Sequence, residues 1–127
     1  MTQGDHGPIL TQFKGKLSEA LTELRRLKTG EARAVLHHDE VGHIDIIWGK
    51  AGDPAKKYAG GYGLAHIDAK HPGVADDLQK ILDTTKINWK KSQEGRLQLE
   101  DNDHVVKVRL DWELEDKNWI LTAFEKI

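Results

Sequence analysis

The side chains best placed for chemistry on a phosphate ester are His66, Arg96, Arg109 and Thr122. The strand-like run His104 to Trp112 alternates, with Val106, Val108, Leu110 and Trp112 on one face and Lys107, Arg109 and Asp111 on the other. The run before it puts Leu97 and Leu99 on one face and Arg96, Gln98 and Glu100 on the other. A tight turn at Asn102-Asp103 that joins the apolar faces sets Leu99 opposite Val106 and Leu97 opposite Val108. Arg96 then stands opposite Arg109, and two like charges opposed across a sheet repel unless something negative lies between them. In the last strand, matching Trp112 with Trp119 and Leu110 with Leu121 brings Thr122 against Arg109. The expected row of Arg96, Arg109 and Thr122 offers paired guanidinium donors and a hydroxyl to a phosphate. The pattern equally fits solvated arginines beside Glu100 and Asp111, and a slip of one residue dissolves the row.

A proton carrier is expected on the helix-like segment Tyr62 to Lys70. His66 and Lys70, four apart, share a face away from the packing side, which Leu64, Ile67 and His71 form. Imidazole exchanges protons near neutrality, so His66 is the candidate general acid or base, with Lys70 supporting negative charge. His71 reads as a packing residue, but a helix end so close to Pro72 keeps it as a second candidate. Lys107, on the arginine face, and Trp89, Lys90 and Lys91 are candidate nucleic-acid contacts; Trp89 could stack on a base, and contact with solvent or a partner fits it equally. His37, His38, Asp39 and His43 straddle a hairpin turn without a recognised ligand spacing, so no metal site is assigned there. Gly60, Gly61 and Gly63 follow no strand, which removes a dinucleotide or P-loop reading.

These residues need a scaffold of helices and strands. Phe13, Leu17, Ala20, Leu21, Leu24 and Leu27 define one helical face, with Gly30 as the stop. Ala34 to Leu36 and Ile44 to Trp48 read as strands about a turn, and Gly49 to Gly61 as a loop. A second helix runs from Pro72 to Leu82. Lys86 to Lys90, Arg96 to Glu100, His104 to Trp112 and Asn118 to Phe124 form a final antiparallel set. The expected fold class is α+β, with N-terminal helices packed on a C-terminal antiparallel sheet of about four strands. Residues 1–8 read as a flexible tail or linker remnant and 9–127 as one domain.

Composition narrows the classes. The 127 residues suit one domain with a single core, 38% of them hydrophobic and 31% charged. No apolar run approaches the roughly 18–20 residues that span a bilayer, and Met1 to Leu10 lacks the parts of a signal peptide. With no cysteine there is no disulfide, thiol nucleophile or Cys-type zinc site. A formal charge of -2 requires any nucleic-acid site to be a local positive cluster.

Several blocks together resemble one family: Ala34-Val35-Leu36-His37-His38, Gly42 to Gly49, Gly61 to Ile67 with Lys70-His71-Pro72, Arg96 to Glu100, Val105 to Trp112, and Asn118 to Lys126. Their order and spacing are similar to the phage-associated branch of the barnase/EndoU/colicin/RelE nucleases. The likeness spans roughly three quarters of the chain; His43, where an acidic or small polar residue is expected, departs from it. The resemblance implies a metal-independent endoribonuclease toxin domain with no cofactor. It also implies RNA, with tRNA foremost, as substrate, a cognate immunity or inhibitor protein as partner, and action in the bacterial cytoplasm. By position, His66 matches the family's helical histidine and Arg96 and Thr122 its strand residues; Arg109 and Lys70 are added by geometry. The tail before Ile9 and the terminus just after Lys126 suggest the C-terminal part of a longer protein. The competing reading is a non-catalytic interaction or nucleic-acid-binding module on the same scaffold.

Overall fold

The computed structural model describes residues 2–4, 7–111 and 117–126. Its strands are β1 (Thr2–Gly4), β2 (Gly7–Leu10), β3 (Glu31–His38), β4 (Gly42–Ile47), β5 (Lys86–Ile87), β6 (Arg96–Glu100), β7 (His104–Asp111) and β8 (Lys117–Glu125). The helices are α1 (Leu17–Leu27), α2 (Gly63–Lys70) and α3 (Leu78–Thr84), with 3-10 turns at Pro54–Lys56 and Ala75–Asp77. Leu17, Ala20, Leu21, Leu24 and Leu27 bring α1 down on its apolar stripe, with Ala20, Leu21 and Leu24 fully buried.

The class is α+β, but the sheet is larger than the four antiparallel strands expected. Eight strands run in the order β1-β2-β3-β4-β8-β7-β6-β5. The meander β5 to β8 is antiparallel, and the β3–β4 hairpin joins it through a parallel bridge from Asp45 to Trp119. The sheet is therefore mixed. Hairpin periodicity reveals antiparallel neighbours, whereas the parallel joint pairs strands more than 70 residues apart and leaves no local signature. Two short strands, β1 and the start of β2, occur within the segment read as a tail. The second expected helix begins later than Pro72, at Leu78 after a 3-10 turn, and β5 stops at Ile87.

One face of the sheet carries the core. Val35, Leu36, Ile44, Ile46, Leu99, Val106, Val108 and Ile120 meet Leu21, Leu24, Leu64, Ile67, Leu78 and Leu82 from the helices. α1 and α3 contact β3, while α2 contacts β8 and β4. Arg25 locks two helical layers together: Nε and Nη2 each donate at 2.9 Å to the two oxygens of Asp68 on α2, and Nη1 donates at 3.1 Å to Asp76. That bidentate grip orients the helix carrying His66.

Candidate active site

The β6–β7 register is the one alternation implies. Arg96 pairs with Arg109, Leu97 with Val108 and Leu99 with Val106. Both arginines and Lys107 are exposed, while Leu99, Val106 and Val108 are buried. The β7–β8 register departs from expectation. Arg109 pairs with Trp119 and Leu110 with Asn118, while Thr122 pairs with Lys107; Trp112 lies outside the described residues. Trp119 is displaced by three residues from the expected position 112, and a bulge between Lys107 and Val108, with Leu121 as the extra residue, reduces the displacement to two at Thr122. Thr122 sits one pleat repeat, two residues, from its expected position, so it keeps the arginine face and changes row. The rows are Arg96–Arg109–Trp119 and Gln98–Lys107–Thr122.

These rows form the floor of a cleft of about 450 Å³, lined by Arg96, Lys107, Arg109, Trp119, Leu121 and Thr122 from the sheet. Gly60, Gly61, Tyr62 and His66 from the segment leading into α2 complete it. Three cations, one imidazole and the hydroxyls of Thr122 and Tyr62 thus meet, and no Asp or Glu lines the cleft among the described residues. The Thr122 Oγ1 is buried without a hydrogen-bond partner among the described residues. The Tyr62 and Trp119 rings lie 6.0 Å apart across the cleft.

His66 is only 8% exposed, so the expectation that it lies off the packing side is corrected. The loop before α2 folds back over it. Lys50 and Tyr62 exchange backbone hydrogen bonds of 3.0 and 2.9 Å, which brings the Ala51 carbonyl 3.0 Å from His66 Nδ1. A carbonyl only accepts, so Nδ1 carries the proton and the neutral ring keeps its lone pair on Nε2. Gly61 makes this possible, because a Cβ there would collide with the Ala51 carbonyl oxygen and with His66 Nδ1.

The remaining candidates disperse. Lys70, a turn further along α2, is exposed and outside the cleft lining. His71, half-buried at the helix end, lies 6.0 Å from the His66 ring and 5.4 Å from that of Phe124. It lines a neighbouring groove with Lys91 and Lys107. Burial first, then the charges of Lys70 and His66, lower its pKa. Trp89 is 69% exposed and Lys90 is exposed, both on the turn after β5 and outside the cleft. His37 and His43 face each other across the β3–β4 hairpin, whereas His38 is buried, its Nδ1 accepting from Glu40 N–H and its Nε2 donating to the Thr85 carbonyl. No group of three or more potential metal ligands occurs among the described residues. Sequence reasoning missed Tyr62, Trp119 and Leu121 as lining residues; the bulge that exposes Leu121 has no sequence marker such as glycine.

A small α+β domain whose described residues form a cationic cleft beside a tethered imidazole has the features of a protein that handles phosphate esters. The chain belongs to the phage-Barnase-EndoU-ColicinE5/D-RelE like nuclease 1 family, whose model matches residues 35–127. No curated protein and no solved structure matches it.

Proposed function

We propose that the domain is a metal-independent endoribonuclease that cleaves RNA by attack of the ribose 2′-hydroxyl on the adjacent phosphate. The observation that carries this reading is the meeting of His66, Arg96, Lys107, Arg109 and Thr122 in one cleft. A lining that, among the described residues, has cations and no carboxylate suits an anionic ligand and offers poor ligands to a hard divalent cation. The 2′-hydroxyl supplies the nucleophile from the substrate, so the protein needs only to move protons and hold charge.

In this mechanism the 2′-oxygen bonds to phosphorus and the bond to the 5′-oxygen breaks. Nε2 of His66 takes the 2′-hydroxyl proton, and the departing 5′-oxygen takes a proton from solvent water. The products are a 2′,3′-cyclic phosphate and a free 5′-hydroxyl. Arg96, Lys107 and Arg109 hold the charge that builds on the phosphorane, and the Thr122 hydroxyl donates to one of its oxygens. The tRNA substrate, the inhibitor partner and action as a toxin in the bacterial cytoplasm belong to the same proposal and rest on the family resemblance.

The purified domain is expected to cut RNA in excess EDTA, to leave cyclic-phosphate ends and to spare DNA, which lacks the nucleophile. His66→Ala should slow cleavage by at least about a hundredfold. It should also cost roughly 1–3 kcal/mol of stability, because a buried, hydrogen-bonded ring is lost. Products with 5′-phosphates, or activity restored only by a divalent ion, would replace this mechanism with a metal-assisted one. RNA binding without cleavage would instead support a non-catalytic module.

A further inference from the structure

A second depression lies beside the cleft on the same sheet face. This groove, about 910 Å³, shares Lys107 with the cleft and continues past the next row of the meander. It holds an aromatic pair: Phe124 is half-buried, and the His71 ring lies 5.4 Å from it with planes tilted by 31°. Gln98 and Glu100 stand beside this pair, and Lys91 closes the rim.

Glu100 is a prepared acceptor. Gln98 Nε2 donates to its Oε2 at 2.8 Å, Asn88 Nδ2 donates to Oε1 at 3.1 Å, and Lys126 Nζ lies 3.5 Å from Oε1. The hydrogen bonds from Gln98 and then Asn88 lower its pKa, so it remains an anion. A carboxylate has about four lone-pair directions, so capacity remains after these contacts. Because the Gln98 amide nitrogen is turned toward Glu100, its Oε1 is a second acceptor. A hydrogen-bonded carboxylate in a groove that also holds Glu125 and three lysines is a poor feature for holding phosphate and a good one for reading a hydrogen-bond donor.

We propose that this groove is a base-binding subsite for the nucleotide adjoining the scissile phosphate, with Phe124 and His71 stacking on the base and Glu100 and Gln98 selecting an exocyclic amine. The subsite rests on the nuclease reading for its placement, since Lys107 then contacts the phosphate linking the two nucleotides. Adenine, cytosine and guanine each present such an amine in single strands, and uracil does not. The groove therefore favours those three over uracil.

The test uses trinucleotides of 2′-O-methyl adenosine, cytidine or uridine, which cannot be cleaved, followed by NMR on the whole chain. The expected result is perturbation of the Phe124 ring and the Gln98 side-chain amide together with the Arg96 guanidinium, and weakest binding by the uridine trinucleotide. Phe124→Ala should weaken adenosine and cytidine binding by roughly tenfold, as loss of one base stack does. Phe124→Leu keeps the apolar bulk and should show the same loss, which guards against an unfolded alanine variant. Glu100→Gln should narrow the preference over uridine. Perturbation of the cleft without the groove, or equal binding of all three by wild type and variants, would overturn the subsite and leave the nuclease reading standing. Groove perturbation by a chain that never cleaves unmodified RNA would overturn the nuclease reading and retain the base pocket.

Discussion

Thr122 carries a hydroxyl that is buried without a partner, on the wall of a cationic cleft. Such a group costs about 1–3 kcal/mol when left unsatisfied, and an isosteric apolar replacement removes the cost. Thr122→Val should therefore melt at the same or a higher temperature while cleaving RNA about tenfold more slowly, through loss of one bond to a charged oxygen. A parallel fall in melting temperature and activity would mark the hydroxyl as structural. His71 gives a prediction of a different kind. Its folded pKa lies below the ordinary 6.5, chiefly because burial penalises the charged ring. The unfolded chain then binds the proton more readily, so the His71 contribution is fully present above that ordinary value and is lost as pH falls from there toward the folded value. Melting curves between about pH 8 and pH 5 should fall more steeply for wild type than for His71→Gln. Identical slopes would remove His71 from the acid response.

At the scale of elements, the loop 49–61 and the entry to α2 act as one device. Loop and helix share the paired backbone bonds of Lys50 and Tyr62, and Ala65 N–H donates to the Trp48 carbonyl at 2.8 Å. Gly61 lets the Ala51 carbonyl reach the His66 ring, so one added methyl forces backbone or imidazole to move. Gly61→Ala should cost about 1–3 kcal/mol, as overpacked sites do, and should lower cleavage by shifting His66, with all five cleft side chains intact. The His66 Nδ1–H resonance should shift or exchange faster in the variant. An unchanged resonance with full activity would show that the loop yields without disturbing the ring. The β7–β8 hairpin is the other decisive element, because its bulge puts Leu121 and Thr122 together on the cleft wall.

The whole molecule concentrates positive charge locally despite a formal charge of -2. Arg96 and Arg109 are paired partners on an exposed face, so the folded state stores a repulsion that an anion relieves. Sulfate should raise the melting temperature more than chloride at matched ionic strength. An anion at roughly tenfold its Kd adds about 1.4 kcal/mol, and general surface exclusion of sulfate is controlled by the variants. The excess should disappear in Arg96→Gln and Arg109→Gln; an equal sulfate response in all three proteins would show that the pair holds no anion. The scaffold extends beyond the family match. α1 precedes residue 35, yet Leu21 and Leu24 are core residues and Arg25 grips Asp68 on the helix that bears His66. Among the described residues no helix is long and apolar enough to cross a membrane.

What the sequence determined by itself follows from strict periodicities. Alternation along 96–100 and 104–111 specifies which side chains point away from the core, and the short connection at 101–103 leaves one register that buries both apolar sets, so Arg96 against Arg109 was legible. The stripe of α1 was legible for the same reason. The family blocks identified a nuclease fold because their order and spacing survive without any contact being known. Tertiary structure decided what depends on distant or irregular backbone. Neither the three-residue displacement of β8 at Trp119 nor the bulge that trims it to two at Thr122 requires a residue type, so the row containing Thr122 could not be placed by counting. Burial of His66 depends on a loop returning from 15 residues earlier, which helical spacing cannot register. The parallel joint of β4 to β8 likewise arises only when the core forms, because its partners are far apart in the chain and share no turn.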